Sequence, residues 1–285
     1  MPFKEILSGG PPKDGIRSIE DPKFIAVAKN KDLTDTEPVI GVVINGDARA
    51  YPLGILTQHE NVNDVVGGVP VTVTVTYCPL CNSSIVFDRR LDGKVLEFGT
   101  TSKLRNSDLV MYDRLTEIWW QQFLGEAIVG ELTGRKLKMV PSRMESLARF
   151  REREPNGKLL VLRTHYRSYG INPYVRYDSR KAPYPFFTGE MPAGVPAMMR
   201  VVLLDGEAWT LTLIRSKGSV KKGDVEISWA AGQNSALDTR RISDGRDVGN
   251  VVVQRTAGGK TEDVVHDITF AFVFHAFHPD GVINK

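Results

Sequence analysis

The chain has very little cysteine: two residues among 285, Cys78 and Cys81, three positions apart. Two cysteines cannot form the disulfide framework of a small secreted domain, and a chain of this length can bury a core without one. A site of four thiolates, as in a zinc ribbon or an iron–sulfur cluster, is excluded within one chain because a second Cys-x-x-Cys is missing. The pair can still form a short disulfide, a redox dithiol or two ligands of a thiophilic metal.

An excess of charge of one sign and long apolar runs are also missing. The 37 basic and 34 acidic residues give a net charge of +3, which indicates neither nucleic acid nor an anionic membrane as a partner. No apolar run approaches the roughly 20 residues of a membrane span, and the N-terminus lacks the apolar core of a secretory signal. We therefore expect a soluble protein that binds a small molecule, with the compartment and the oligomeric state left open.

The most β-prone run of the sequence, Val69 to Tyr77, leads directly to the cysteines. It alternates apolar and hydroxyl side chains, which predicts a strand with one buried face and one wetter face. Pro79 cannot donate to a sheet ladder, so the strand should end near Cys78 and turn. Because Ile85 to Phe87 is typical of a second strand, both thiols should lie on a tight turn and point at one place.

Turn signals between apolar runs predict a β-rich α+β fold built of antiparallel hairpins with a few helices. Asn45-Gly46 is the strongest signal, because both residues of such a turn need positive φ. Further hairpins are predicted at Asp92-Gly93, Asp205-Gly206 and Asp244-Gly245. Helices are predicted over about 22–28, 55–65 and 142–153, the last with Ser142 as its N-cap.

The second half of the chain repeats landmarks of the first half in the same order. The Asp205-Gly206 hairpin corresponds to Asn45-Gly46, and residues 228–236 correspond to the cysteine turn at 76–84, with Ala230 and Gln233 in place of the cysteines. We therefore predict a degenerate duplication about a pseudo-twofold axis, in which one copy carries the site. The predicted units are a lead-in, 1–37; a first repeat, 38–162; a tyrosine- and proline-rich crossing segment, 163–194; and a second repeat, 195–285.

The run from Tyr77 to Ser83, Tyr-Cys-Pro-Leu-Cys-Asn-Ser, resembles a motif of DUF3179, a bacterial and archaeal family of unknown function. The resemblance extends over most of the chain, through residues 8–16, His59-Glu60 with Asn63-Asp64, residues 87–89, 106–114 and 125–130, and Tyr169-Gly170 before Asn172-Pro173-Tyr174. The family name supplies no reaction, so the resemblance implies kinship and leaves the function open. Members of this family often look exported.

A mixed metal site needs a third ligand, and His59 is the best partner because its predicted helix directly precedes the cysteine strand. Thiolates favour Cu(I), zinc or iron–sulfur clusters. His59 can equally be a helix histidine with ordinary hydrogen bonds, and the cysteines can be a local disulfide or inert buried thiols. His275 and His278 are either a ligand pair on one helix face or histidines near the negative end of a C-terminal helix.

Four polar residues downstream of the cysteines are candidates for substrate binding: Asn106, Asp108, Tyr112 and Asp113. The pair Asp113-Arg114 can equally be a turn with a surface ion pair.

The first functional hypothesis is a metal-dependent oxidoreductase that acts on a small polar substrate, with copper favoured over zinc. Cys78, Cys81 and His59 would bind the metal, and the two cysteines would be its catalytic residues. One alternative is a binding protein without turnover. The other is a thiol–disulfide exchange protein in which an exposed Cys78 attacks and Cys81 resolves.

Overall fold

The computed structural model describes residues 3–67, 71–162 and 169–285. Within these ranges lie four α-helices of seven residues each: α1 (Leu53–His59), α2 (Leu147–Arg153), α3 (Leu211–Lys217) and α4 (Ala271–Phe277). The strands are β1 (Ile6–Ser8), β2 (Lys23–Ala26), β3 (Pro38–Ile44), β4 (Asp47–Pro52), β5 (Asn61–Val66), β6 (Val71–Cys78), β7 (Ser83–Asp88), β8 (Arg90–Leu91), β9 (Lys94–Val95), β10 (Phe98–Arg105), β11 (Asp108–Asp113), β12 (Trp119–Gln121), β13 (Glu126–Val129), β14 (Met139–Val140), β15 (Arg143–Ser146), β16 (Lys158–Val161), β17 (Arg200–Leu204), β18 (Glu207–Thr210), β19 (Ser219–Lys222), β20 (Val225–Ala230), β21 (Asn250–Ala257), β22 (Lys260–Asp263), β23 (Asp267–Phe270) and β24 (Ile283–Asn284). The prediction of a β-rich α+β fold is confirmed.

The first repeat is built around two sheets. In the sheet of order β15-β3-β4-β16-β2, the hairpin between β3 and β4 turns at Asn45 and Gly46, whose φ angles are 51° and 80°. The second sheet, of order β14-β7-β6-β5, places the cysteine strand β6 between two antiparallel neighbours. The predicted hairpin is therefore confirmed, as is the predicted cysteine strand from Val71 onward; Val69 and Pro70, the first two residues of the predicted strand, lie outside the described residues.

A third sheet is inserted into the first repeat: four of its strands, β10 to β13, lie between β7 and β14 in the sequence. Its order is β1-β10-β11-β12-β13, so the N-terminal strand β1 closes one edge and β11 lies in the middle. The predicted hairpin at Asp92-Gly93 precedes this sheet, but it joins only the two-residue strands β8 and β9. The inserted sheet contributes Asp108, the first residue of β11, to the cluster around the cysteines.

The second repeat has the same topology as the first. The order β23-β17-β18-β24 repeats the order β15-β3-β4-β16. In each sheet the two middle strands form a hairpin, at Asp205-Gly206 in the second repeat and at Asn45-Gly46 in the first. A helix follows each hairpin, and the last strand of each sheet pairs in parallel. The order β19-β20-β21-β22 likewise repeats β5-β6-β7-β14. The contacts between the repeats are reciprocal, since β7 packs against β23 and β21 packs against β15. This is the arrangement that a duplication about a pseudo-twofold axis predicts; the exact unit boundaries remain a prediction.

The hydroxyl face of β6 is buried at Thr74 and Thr76, where the prediction of a wetter face is wrong. Thr74 and Thr76 are both fully buried. The Thr76 hydroxyl donates to the carbonyl of Ile85 (2.7 Å) and accepts a hydrogen bond from Gln122 Nε2 (2.9 Å), a residue of the inserted segment. Because this segment covers the sheet, the alternating pattern of the strand says nothing about solvent.

Two predicted helices differ from the structure at their N-terminal side. Residues 23–26 form β2, which pairs with β16, and only the single 3-10 turn Val27–Lys29 follows. Helix α2 begins at Leu147 rather than at Ser142, and its N-cap is Ser146, whose hydroxyl accepts a hydrogen bond from Arg149 N (3.4 Å). Pairing with β16 in the first case and with β3 in the second takes these residues into a sheet, which local helix signals do not reveal.

Two further predictions are wrong for similar reasons. The helix predicted over 55–65 ends at His59, because Asn61 already starts β5. Asp244-Gly245 does not form a hairpin; it ends the 3-10 turn Ile242–Asp244. Within the ranges given above, no helix is long and apolar enough to cross a membrane.

Candidate metal centre

The turn after β6 brings the two thiols together. The Cys81 amide donates to the Cys78 carbonyl (3.2 Å), the Asn82 amide donates to the Pro79 carbonyl (3.3 Å), and Asn82 adopts a φ of 54°. Both cysteines are free and buried, with exposed fractions of 2% for Cys78 and 0% for Cys81. The predicted end of the strand near Cys78 is confirmed.

A carboxyl group of the inserted sheet completes a cluster with the thiols. A carboxylate oxygen of Asp108 and the two sulfur atoms lie within 4.8 Å of one another. Asp108 is fully buried, and its Oδ2 accepts hydrogen bonds from Gln121 Nε2 and from the Phe123 amide (2.9 Å). Its Oδ1 has no N–H or O–H donor in the described part of the chain. Asp108, predicted to bind substrate, thus lies where a third metal ligand is needed.

The turn between β10 and β11 aims this carboxyl group. Asn106 and Ser107 both have positive φ angles, 53° and 64°, which residues other than glycine rarely adopt because they cost conformational energy. The Ser107 carbonyl accepts hydrogen bonds from both thiols, at 3.6 Å from Cys78 Sγ and 3.3 Å from Cys81 Sγ. The constrained turn therefore presents a carbonyl and a carboxyl group to the cysteine turn, while Asn106 itself is half-buried.

Burial dominates the protonation of the cluster. Loss of solvent raises the pKa of the Cys78 thiol and raises the pKa of Cys81 well above its usual value. Burial also raises the pKa of Asp108 to about 6, although its hydrogen bonds from Phe123 and Gln121 oppose the rise. A bound cation would reverse this balance, because it stabilises thiolates and carboxylates together.

A second buried carboxyl group belongs to Glu60, which directly follows α1 with a φ of 59°. Burial, with a further contribution from the charge of Asp108, raises the pKa of Glu60 to about 8. The charge of Glu60 in turn raises the pKa of Cys78. Sequence reasoning did not assign a role to Glu60, and its place beside His59 in the family-like motif was the signal available.

His59 does not join this cluster. Its Nδ1 lies 2.7 Å from the Arg17 carbonyl, and its Nε2 lies 2.8 Å from the Tyr169 hydroxyl. Because a carbonyl can only accept, Nδ1 carries the proton and Nε2 accepts from the hydroxyl. This placement does not favour the predicted ligation by His59, because both ring nitrogens form hydrogen bonds with other segments, at Arg17 and Tyr169.

Tyr112 and Asp113 lie at the far end of β11, about 13 and 16 Å from Asp108 at the usual rise of a strand. The Tyr112 hydroxyl donates a hydrogen bond to Asp14 and accepts one from Arg114. Asp113 accepts hydrogen bonds from the amide and hydroxyl of Thr116, both at 2.7 Å, and from Trp120 Nε1 (3.0 Å). Asp113 thus supports the turn after β11, and Tyr112 ties β11 to the N-terminal segment, so the predicted role in substrate binding gains no support here.

The paired histidines of the C-terminus also stay apart from the thiols. His275 lies in α4 and His278 is its C-cap. The His278 ring stacks on Phe274, with ring centroids 5.3 Å apart, and lies 6.2 Å from the ring of Phe123. The two histidines form no cluster with a third metal-binding side chain among the described residues.

The family described as "Protein of unknown function (DUF3179)" matches residues 13–281, nearly the whole chain. The chain belongs to this family. The cysteine turn, Glu60 and Asp108 all lie inside the DUF3179 region, as do strands β10 to β13 of the inserted sheet. No curated protein and no solved structure matches the chain.

The crossing segment of this DUF3179 protein covers the cysteine turn. The Tyr177 hydroxyl donates to the carbonyl of Leu80, which lies between the two cysteines (2.9 Å). Tyr177 is fully buried, and its ring packs against Tyr184 and Phe270. The predicted placement of this segment over the site is confirmed at Tyr177, and the order of the segment stays a prediction; residues 163–168, which include His165 and Tyr166, lie outside the described residues.

The raised pKa of Glu60 has a measurable consequence in the metal-free protein. The pKa of Glu60 in the folded protein, about 8, lies above its ordinary value of 4.5. The contribution of protonated Glu60 to the stability of the folded state is therefore fully present below pH 4.5 and is lost as the pH rises to 8. Because one pKa unit corresponds to about 1.4 kcal/mol, the stability of wild type relative to Glu60→Gln should fall by roughly 3–5 kcal/mol over this range. Urea unfolding at several pH values measures this difference. The exposed Glu190→Gln should follow the wild-type curve, and a pH-independent difference for Glu60→Gln would contradict the prediction.

Proposed function

We propose that this protein is a metal-dependent enzyme whose metal centre consists of Cys78, Cys81 and Asp108. The observation that carries the proposal is the convergence of two thiols and a carboxyl group from separate sheets within 4.8 Å. Thiolates and carboxylates are ligands of transition metals at distances of about 2.0–2.3 Å.

Unpartnered polar atoms around the cluster support a bound cation. Asp108 Oδ1, Ser107 Oγ and Gln122 Oε1 are buried and have no nitrogen or oxygen hydrogen-bond partner among the described residues; the thiols of Cys78 and Cys81 contact the Asp108 carboxyl group. A buried polar atom without a partner costs about 1–3 kcal/mol, and more if it is charged. Coordination of Asp108 Oδ1 would satisfy that oxygen, and ordered water around a metal would satisfy the other two atoms.

The ligand set favours zinc. Zinc accepts cysteine and aspartate ligands in one site, and catalytic zinc sites commonly have three protein ligands and an open position. Cu(I) prefers sulfur and nitrogen ligands, so replacing the predicted imidazole of His59 with a carboxylate makes copper a poorer fit. The paired thiolates still suit Cu(I), and this observation keeps a copper-dependent oxidoreductase as the second candidate.

Glu60 fits a role in proton transfer. A bound zinc ion would lower the pKa of its water ligand to about 7. The charge of Asp108 acts on the buried carboxyl group of Glu60, so this group would be available to take and return a proton at a water bound to the metal. We therefore assign metal binding to Cys78, Cys81 and Asp108, and proton transfer to Glu60, in the hydrolysis or hydration of a small polar molecule.

Thiol–disulfide exchange has less support. That chemistry needs an accessible thiolate, whereas Cys78 is buried and burial raises the pKa of both thiols.

Metal analysis of the protein as purified tests the identity of the ion. We expect about one zinc per chain, as in a three-ligand centre of this type, and two titratable thiols after the metal is removed. One copper per chain would support the second candidate. Protein that takes up neither metal under reducing conditions would contradict both.

Cobalt substitution tests whether a coordination position is open. In an enzyme site, azide or thiocyanate should shift the visible absorption of the Co²⁺-loaded protein, because the anion exchanges with a water ligand. Glu60→Gln should keep the cobalt spectrum and change only its pH dependence. A spectrum that no anion changes would indicate a closed site, and so a binding or structural metal.

A further inference from the structure

One face of the inserted sheet carries a row of polar side chains that ends at Asp108. Arg105 lies directly opposite Asp108 where β10 and β11 pair, and Val110 lies opposite Gln121 of β12. Asp108 and Val110 are two residues apart, so the alternation of β11 puts them on the same face. The pairing of the three strands therefore places Arg105, Asp108 and Gln121 next to one another, with Gln121 diagonal to Asp108.

Gln121 holds one oxygen of the Asp108 carboxyl group. Gln121 is fully buried, and its Nε2 donates to Asp108 Oδ2, which also accepts a hydrogen bond from the Phe123 amide (2.9 Å). Two donors on Oδ2 fix the rotation of the carboxyl group, and Oδ1 is left without an N–H or O–H donor among the described residues. Oδ1 is therefore the oxygen that is available to a cation beside the thiols.

Arg105 determines which end of the Gln121 amide faces Asp108. Its Nη1 donates to Gln121 Oε1 (3.5 Å), and a guanidinium group has no acceptor atom. The amide oxygen therefore points at Arg105 and the amide nitrogen at Asp108. Arg105 is held in turn by Glu5, 3.0 Å from its Nε, and its guanidinium carbon lies 5.4 Å from the ring centroid of Phe277. These contacts keep Gln121 in place as a donor toward Asp108.

A residue that holds the carboxyl group matters most for a metal that needs a carboxylate ligand. Groups that hydrogen-bond a ligating side chain are typically worth about 10- to 100-fold in metal affinity. Zinc accepts a carboxylate together with thiolates, whereas Cu(I) is selected by soft sulfur ligands. Loss of the donor would therefore weaken a site of two thiolates and a carboxylate, and it would leave a site of two thiolates largely intact.

We propose that Gln121, set in place by Arg105, is the positioning residue that holds Asp108 as a metal ligand, and that it thereby determines the preference of the centre for zinc over Cu(I). Gln121 acts through Asp108 and would not itself bind the metal. This inference rests on the metal centre proposed above and adds the residues that set its selectivity.

Gln121→Leu tests the proposal, because leucine removes the amide and keeps a buried side chain of similar bulk. Purified, reduced protein is titrated with Zn²⁺ and, without oxygen, with Cu(I), each against a competing chelator. Zinc affinity should fall by roughly 10- to 100-fold, as for loss of a partner of a ligating carboxylate. Cu(I) affinity should change by no more than about threefold, because its thiolate ligands stay in place. Arg105→Met should lower zinc affinity by about two- to tenfold, as for one hydrogen bond.

Two further variants separate a positioning role from general damage. Gln254→Leu removes another glutamine that donates to an aspartate, at 3.0 Å from Asp263 Oδ1 in the second repeat, and should leave both affinities unchanged. Gln121→Asn is shorter by one methylene and cannot reach both Arg105 and Asp108, so it should lose zinc in the same selective way. It gives the answer if Gln121→Leu does not fold, which circular dichroism shows.

Unchanged zinc affinity in the Gln121 variants, an equal loss of zinc and Cu(I), or the same selective loss in Gln254→Leu would overturn the proposal while the metal centre stands. Wild-type protein that binds neither metal, or binds Cu(I) without zinc, would overturn it together with the zinc centre itself.

Discussion

Replacing Cys81 with serine should abolish metal binding while the protein stays folded. Thiolate ligation is lost, since a serine hydroxyl stays protonated and binds soft metals poorly. A core of this size does not depend on a metal, so the substitution should cost only about 1–3 kcal/mol of stability, as for an altered buried polar contact. Metal analysis under reducing conditions, with circular dichroism as the test of folding, measures both effects. Reductant is needed because cysteines three apart can oxidise.

A matched pair of carboxyl variants sharpens the test. Asp108 and Asp113 are both fully buried and lie at opposite ends of β11. Asp108→Asn should reduce metal occupancy as strongly as Cys81→Ser. Asp113→Asn weakens the turn formed with Thr116 and Trp120 but should retain the metal. Equal occupancy in the two variants would remove Asp108 from the ligand set, and full occupancy in Cys81→Ser would remove the thiols.

Replacing Asp178 with alanine should strongly destabilise the protein and open the cysteine site. The buried carboxylate pairs with Arg200 Nη2 (3.0 Å) and Arg246 Nη2 (2.8 Å), and it accepts a hydrogen bond from the Ser235 hydroxyl (2.5 Å). Removing it leaves the buried Arg200 guanidinium without a counter-charge, which costs about 3–5 kcal/mol. Urea unfolding measures this loss.

The same variant should also raise the rate at which the thiols react with a labelling reagent. Asp178 directly follows Tyr177, whose hydroxyl bonds the Leu80 carbonyl between the two cysteines. Loosening this anchor gives solvent access to the metal-free thiols. Asp224→Ala, which removes only a solvent-exposed pair with Arg255, should cost less than about 1 kcal/mol and leave labelling unchanged. A destabilised Asp178→Ala protein whose thiols still react slowly would show that the crossing segment does not cover the site.

Local features could be predicted from the sequence, because neighbouring residues determine them. The hairpins at Asn45-Gly46 and Asp205-Gly206 follow from the positive φ of two adjacent residues. The close approach of Cys78 and Cys81 follows from their spacing and from Pro79, which ends the strand. The DUF3179 motif, the β-rich fold and the order of the repeated landmarks are likewise properties of short segments.

The tertiary structure alone decided which side chains meet the thiols. Asp108 reaches them because an inserted sheet folds over β6, whereas His59 directs its ring nitrogens to Arg17 and Tyr169. Asp267 meets Ser84 across 183 residues of sequence because β23 of one repeat packs on β7 of the other. Packing of sheet on sheet sets these contacts, and it depends on the sum of many buried apolar contacts rather than on any local pattern. A strand's own alternation shows that its side chains have two faces, but the partner of each face is chosen only when the sheets assemble.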